Sequence, residues 1–213
     1  QDETKEEQIV QGEHTPGLAS CNSFTTVLNE IAWLPIEGSD TAESDVPGPP
    51  RKERQGLSRA GIAPPRATRP KQDEWICSGS MEILSTNVRS ELLQECFGWN
   101  LPVPIIVVAS QILELSSMHD TDPSSIHTRT LATVVPRCYD ILNTHLDSAD
   151  EDEYERLAML FHARPWLWVG DRFVSTAQVA FDAPDARPFF YSVPNELLCF
   201  DKLLKACGVR ERF

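Results

Sequence analysis

The residue types that most often support catalysis or metal binding are present, but their spacing matches none of the common site motifs. None of the five histidines and six cysteines forms a Cys-x-x-Cys, His-x-x-x-His or His-Glu-x-x-His pair. No Gly-x-Ser-x-Gly turn and no Gly-rich phosphate loop occurs. Arg156 and His162 have the spacing of one class of RNase motif, but six helical positions rotate them about 120° apart. The sequence therefore predicts a chain that is not an enzyme, with no catalytic residue, no cofactor and no metal site.

A basic segment at 51–71 is the strongest candidate binding feature. Seven basic residues and only one acidic residue, Glu53, give it a charge of +6 in a chain of net charge −13. One hypothesis is contact with an anionic partner such as RNA or an acidic protein surface. The alternatives are a solvated loop, or a loop that neutralises acids elsewhere in this protein. The candidate contacts are Arg51, Lys52, Arg54, Arg59, Arg66, Arg69 and Lys71.

Composition restricts the class of protein. With 213 residues, 41% hydrophobic and 24% charged, the chain is typical of a folded globular protein and not of a disordered or collagen-like one. The negative net charge disfavours non-specific binding to nucleic acid or anionic membranes. No apolar run approaches the roughly 20 residues of a membrane-spanning helix. The charge and the short apolar runs together predict no membrane partner. Scattered cysteines inside apolar stretches indicate reduced thiols and predict a cytoplasmic protein.

Two irregular zones flank the first predicted helix. Residues 1–20 are polar and acidic, which predicts a disordered tail or linker. The remaining 21–213 are predicted to form one module, interrupted by a Pro/Arg-rich irregular insertion at about 38–72. Ser23 is predicted to cap a short helix that carries Phe24, Leu28 and Ile31 on one side.

The middle of the chain is predicted to be mainly helical. EWICSGSMEIL, at 74–84, alternates well enough for one or two strands. Ser90 is predicted to cap a helix that buries Leu93, Cys96 and Phe97, and Pro104 to open a second one, although its IIVV run also suits a strand. A third helix is predicted from Asp122-Pro123 with a kink at Pro136, and a fourth with Ser148 and Glu151 as a capping box. The acidic run at 147–155 lacks the spacing of a calcium loop and instead suits a helix start.

After Pro165 the pattern changes to short strands. Trp166-Leu167-Trp168 predicts a densely packed strand, followed by a turn at Gly170-Asp171. The aromatic residues here fit a core better than a ligand cage. Further strands are predicted around 179–181 and 189–193, and a last helix runs from Pro194 to Gly208. The predicted fold class is α+β (mixed α/β), mostly helical, with a small β layer around the Trp166-Leu167-Trp168 strand.

The C-terminal stretch resembles the repeated segment of sacsin and the sacsin-like proteins of plants. The similarity consists of a Trp-x-Trp-x-Gly-Asp strand, a following Phe, a Pro-aromatic-aromatic strand, a Val-Pro and a leucine-rich helix ending in Gly-Val-Arg. These are Trp166, Trp168, Gly170, Asp171, Phe173, Pro188, Phe189, Tyr191, Val193, Pro194, Leu197, Phe200, Leu204, Gly208, Val209 and Arg210. Upstream, IAWLPI, IAPPRATRPKQDEWICSGSMEIL, FGWNLPVP, SQILEL and LATVVPRCYDIL resemble further elements of that family.

The resemblance implies a non-catalytic structural or interaction segment of a chaperone-associated, protein-folding protein. Sacsin-like proteins are very long cytosolic chains, and this segment resembles the part of their repeat downstream of an Hsp90-like ATP-binding domain. None of that domain's nucleotide motifs is present here, so no ATPase residue is carried over. The implied partners are other segments of a longer chain, with Hsp70-type chaperones or client proteins as further candidates.

Overall fold

A computed structural model describes residues 17–37, 61–124, 126–183 and 187–212. The predicted tail up to residue 16 and most of the predicted insertion, 38–60, lie outside the described residues. The helices are α1 Gly17–Glu30, α2 Glu74–Cys77, α3 Glu91–Cys96, α4 Ile105–Thr121, α5 Thr128–His145, α6 Glu151–Phe161 and α7 Asp201–Ala206. The strands are β1 Leu34–Pro35, β2 Ile62–Ala63, β3 Thr68–Arg69, β4 Glu82–Ile83, β5 Leu167–Trp168, β6 Phe173–Val174, β7 Val179–Asp182, β8 Tyr191–Ser192 and β9 Arg210–Arg212.

The strands form small separate sheets. β1 pairs antiparallel with β2, and β3 pairs parallel with β4. β5 and β6 form an antiparallel hairpin, and β7 is the centre of a parallel sheet of order β8-β7-β9. The fold is therefore α+β and mostly helical, as predicted.

The turn of the β5–β6 hairpin depends on a glycine. Gly170 has φ of 102°, a conformation that residues with a side chain rarely adopt. This confirms the predicted turn and places Trp168 beside Phe173 on the paired strands, with ring centroids 5.0 Å apart.

The core lies between α4, α5 and the C-terminal elements. The IIVV run is helical, and Val108 at its end is fully buried together with Ala109 and Ile112 of α4. The helix period places these three residues on one side. Ile106, within the same run, is exposed.

Tyr139 of α5 ties the helical layer to the strand layer. Its ring is fully buried, and its hydroxyl donates to the Trp166 carbonyl at 2.5 Å and accepts from the Trp168 amide at 3.0 Å. Burial raises the pKa of this hydroxyl, so it remains protonated and available as a donor. One side chain thus positions both ends of the tryptophan strand.

Removing the Tyr139 hydroxyl is expected to destabilise the protein. Tyr139→Phe leaves a buried amide and a buried carbonyl without their partner, which costs about 1–3 kcal/mol. The measurement is the free energy of unfolding in urea. Tyr154→Phe, which removes one bond to the Leu146 carbonyl from a partly buried site, is the matched control with a smaller loss. Equal losses in the two variants would contradict this role.

The strand predicted at 74–84 is mostly not a strand in the structure. The segment after Pro70 forms a 3-10 turn at Lys71–Asp73 and then α2, rather than a strand. Its adjacent residues Ile76 and Cys77 are both buried, which a half-buried strand does not allow. Only the short β4 at the end of the predicted strand region is extended.

The predicted helix starts are shifted by a few residues. α5 begins at Thr128 and not at Asp122-Pro123, and it continues through Pro136. The cap of α6 is Asp150, whose carboxylate accepts from the Glu153 amide at 2.9 Å, so the predicted Ser148 capping box is wrong. A carboxylate in this position also interacts favourably with the helix dipole.

The first and third helices expose the sides predicted to face inward. α1 begins at Gly17, within the predicted tail, and Phe24 and Ile31 are more than half exposed. In α3 the Ser90 cap is confirmed, but Leu93 and Cys96 are exposed. Apolar residues at the helix period predict that one side of a helix packs against something, but not what it packs against. The described residues do not cover this side of α1 or α3.

The C-terminal helix is divided in two. Residues Asn195–Phe200 form a 3-10 helix after Pro194, and α7 follows directly. Leu197, Phe200 and Leu204 are buried as predicted, and Gly208 ends the segment with φ of 87°. β9, which follows Gly208, was not predicted.

Candidate functional site

Three of the seven basic candidates are described, and each contacts an acid of this chain. Arg66 lies 2.5 Å from the Glu30 carboxylate, and Lys71 lies 2.7 Å from that of Glu37. These contacts agree with the alternative stated above, in which the basic segment neutralises acidic residues of the protein itself. The other four candidates, Arg51, Lys52, Arg54 and Arg59, lie outside the described residues.

Arg69 is a buried structural residue and not a surface contact. Only 5% of it is exposed, and its guanidinium donates to the Gly98 carbonyl at 3.1 Å and to the Leu101 carbonyl at 2.7 Å. Its Nε lies 3.2 Å from Asp73 Oδ2, a close ion pair without the alignment of a hydrogen bond. Its guanidinium is therefore already occupied and buried, and the prediction that it meets an anionic partner is wrong.

Asp73 shows two opposing effects on its ionisation. Burial raises the pKa of its carboxyl group, and the neighbouring Arg69 charge opposes that rise. The net direction is upward, so burial outweighs the ion pair at this position.

The buried cysteines are unreactive. Burial raises the pKa of the thiols of Cys77, Cys138 and Cys207 to about 12, far above the range of nucleophilic thiolates. Cys96 and Cys199 are free and exposed. Within the described ranges, no group of His, Cys, Asp and Glu side chains is arranged to hold a metal ion.

The structure places Arg156 and His162 at the surface. Both side chains are exposed at α6 and its end, and neither lines the cleft described next. This agrees with their angular separation on a helix.

A cleft of about 600 Å³ lies between α4, the β5–β6 hairpin and β8 in the described part of the chain. This volume is in the range of about 300–1,000 Å³ that is typical of ligand pockets. Its lining combines proline and aromatic walls with polar groups. The lining residues are Ser116, His119, Asp120, Pro123, Thr128, Pro165, Asp171, Arg172, Phe173, Val174, Gln178, Pro188 and Tyr191.

Two buried polar side chains from one side of α4 line this cleft. Ser116 is 2% exposed, and its hydroxyl has no hydrogen-bond partner. His119, one turn further, is 9% exposed and packs edge-on against Trp168 at 5.3 Å and Phe173 at 6.1 Å. A buried hydroxyl without a partner is rare in native proteins and requires an explanation.

Charges at the cleft balance one another. Asp171 and Arg172 are 3.5 Å apart and well exposed. Asp120 is a second acid, and Arg187 lies over the Tyr191 ring at 5.6 Å. Among the described residues at the cleft, the acidic and basic side chains therefore offset one another.

The cleft is not evident from the sequence, although part of its lining lies in the C-terminal stretch that resembles sacsin-like proteins. Asp171, Phe173, Pro188 and Tyr191 belong to the C-terminal family pattern and line the cleft. Ser116 and His119 come from a helix some 50 residues earlier, and no local motif connects them to the strands. The sequence signal that could have indicated the cleft is the spacing of Ser116 and His119, which are three residues apart and so lie on the same side of one helix.

Exposed apolar side chains near α1 and α3 form a second feature. Trp33 follows α1 and packs against Phe97, which follows α3, with ring centroids 5.9 Å apart. We use the name α1–α3 surface for the exposed apolar residues of these segments. They are Phe24, Val27, Ile31, Trp33, Leu92, Leu93 and Leu101.

In the parts of the chain that the structure describes, no helix combines the length and the apolar character needed to cross a membrane. Comparisons with protein-family models, with curated proteins and with solved structures found no match to this chain. The resemblance to sacsin-like proteins therefore remains a prediction.

Proposed function

We propose that this chain is a non-catalytic structural and interaction segment of a sacsin-like, chaperone-associated protein of the cytoplasm. The observation behind this proposal is that a well-buried C-terminal core coexists with the α1–α3 surface, which the described residues leave exposed. Such a segment needs both a stable body and a side that meets another part of the assembly.

Most of the apolar residues in the C-terminal pattern are buried in the core, which supports the proposal, although Phe189 is 72% exposed. Trp166 is fully buried and stacks on Phe161 with centroids 4.2 Å apart. Phe200 packs on Tyr139 at 5.9 Å, and Leu204 is 1% exposed.

The state of the cleft serine supports a non-catalytic role. A nucleophilic serine needs a base within hydrogen-bond reach. The Ser116 hydroxyl has no partner at all, although His119 lies on the same side of α4. His119 instead packs edge-on against the Trp168 and Phe173 rings.

The α1–α3 surface supports an interaction role. Exposed apolar side chains that lie close together commonly mark sites of contact with other proteins, and Trp33 and Phe97 join the two segments of this surface at 5.9 Å. Phe24, Val27 and Ile31 recur at helical spacing on α1 and its end, the pattern of a helix that packs against a neighbour. In the proposed parent protein that neighbour is another segment of the longer chain, with Hsp70-type chaperones or clients as further partners.

The test is to make this side of α1 polar. In the triple variant Phe24→Ser, Val27→Ser, Ile31→Ser, we expect lower fluorescence of an apolar-surface dye and less self-association by light scattering. The thermal melting transition should change little, because these side chains are mostly exposed. The control is Leu198→Ser, also exposed but in the C-terminal half. Loss of the cooperative transition in the triple variant would show that α1 packs within this chain and would contradict the proposal.

A further inference from the structure

We propose that the cleft between α4, the β5–β6 hairpin and β8 binds a short extended peptide segment that carries an uncharged apolar side chain. The inference depends on the cleft alone and does not require the sacsin-like family. It adds a ligand site to a chain whose proposed function names only an interaction surface.

The inner polar groups of the cleft match the chemistry of an amide. A serine hydroxyl and an imidazole can each donate and accept one hydrogen bond, and a peptide group offers one donor and one acceptor. Ser116 is nine-tenths buried or more and lacks a partner in the free protein. A peptide group placed against Ser116 and His119 would supply that missing partner.

The walls match an apolar side chain in an extended backbone. Phe173 and Tyr191 contribute aromatic rings, and Pro123, Pro165 and Pro188 contribute apolar rings without amide donors. Aromatic-lined grooves are one of the recurring ways in which proteins bind extended segments.

The balance of charge argues for a neutral ligand. Two acids, Asp120 and Asp171, are offset by Arg172 and Arg187 at or beside the cleft. The near contact of Asp171 with Arg172 further reduces the field of each group. The two carboxylates would repel a phosphate group, and the two guanidinium groups would repel an ammonium group.

The experiment is an NMR titration of the isotope-labelled chain with a defined set of probes. These are blocked pentapeptides acetyl-Ala-Ala-X-Ala-Ala-amide, in which X is Leu, Phe, Lys or Glu, together with acetyl-leucine-amide and inorganic phosphate. We expect the Leu and Phe peptides to shift the His119 imidazole signals and the amides of β6 and β8. We also expect them to bind about tenfold more tightly than the Lys and Glu peptides.

Two variants test the assigned groups. His119→Phe preserves an aromatic ring between Trp168 and Phe173 but removes both ring nitrogens, and Ser116→Ala removes the hydroxyl. Each is expected to weaken binding of the Leu peptide by about tenfold. Ser117→Ala, the exposed neighbour on α4, is the matched control and should bind like the original chain.

Several results would overturn the inference. One is the absence of peptide-induced shifts at millimolar concentration. Others are tighter binding of phosphate or of a charged peptide than of the Leu peptide, and binding of acetyl-leucine-amide as tight as that of the Leu peptide. The last is unchanged binding of the Leu peptide in both cleft variants. The outcome is separate from the proposed function. If the peptides bind but the natural protein proves not to be sacsin-like, the cleft proposal stands and the proposed function fails. If the natural protein is sacsin-like but no peptide binds, the proposed function stands and the cleft proposal fails.

Discussion

Replacing Trp166 by alanine is expected to lower the free energy of unfolding by about 3–5 kcal/mol. The indole is fully buried, stacks on Phe161 at 4.2 Å and meets Tyr139 edge-on at 5.6 Å. Its removal opens a cavity between α5, α6 and β5, and also withdraws apolar surface from the core. Since domains are typically stable by about 5–15 kcal/mol, the loss is a large fraction of the total.

Urea unfolding followed by circular dichroism measures this effect. Met159→Ala is the matched control, because Met159 lies on α6 near Phe161 but is 64% exposed. It should change stability by no more than about 0.5 kcal/mol. A Trp166 variant as stable as the Met159 variant would show that the tryptophan strand is not part of the core.

The second large effect is expected at Arg69. Arg69→Met removes the donor to the Gly98 and Leu101 carbonyls and leaves the Asp73 carboxylate without its counter-ion. Removing one partner of a buried pair costs about 3–5 kcal/mol, and we expect about 3 kcal/mol because Asp73 is partly exposed. Arg66→Met is the matched control, since its ion pair with Glu30 is exposed on both sides and is expected to contribute little.

The cost of losing Arg69 should depend on pH. Burial already holds the pKa of the Asp73 carboxyl group above its ordinary value, and removing the guanidinium raises it further. A group whose folded-state pKa is raised stabilises the fold at low pH, and this contribution is lost as pH rises through that pKa. The stability deficit of Arg69→Met should therefore shrink as pH falls from 7 toward the ordinary carboxyl pKa of about 4.

Urea unfolding of both proteins at several pH values tests this dependence. A deficit that stays constant or grows on acidification would contradict it. An Arg66→Met deficit equal to that of Arg69→Met would show that burial of the guanidinium has no special effect.

The parts of the fold that were predictable from sequence are those where local pattern and burial agree. Val108, Ala109 and Ile112 recur at the helix period and are buried. Gly170 and Gly208 sit where the backbone takes a positive φ that glycine tolerates. The tryptophan strand was recognised because large aromatic residues at strand spacing are usually packed.

The remaining features depend on contacts between distant segments. The apolar sides of α1 and α3 were expected to be buried, but periodicity does not tell which body would cover them. Arg69 was grouped with its basic neighbours, although its partners are carbonyls about 30 residues later. Ser116 and His119 form a site only through the way α4 packs against β5 and β6.

The central claim, that this chain is a segment of a sacsin-like protein, is tested most directly on the natural protein. Antibodies raised against the purified chain would be used for immunoblotting and for immunopurification followed by peptide mass spectrometry. The account predicts a polypeptide many times larger than 23.9 kDa that also yields peptides of an Hsp90-like ATP-binding domain. A single species near 23.9 kDa, or a larger one without such a domain, would contradict it.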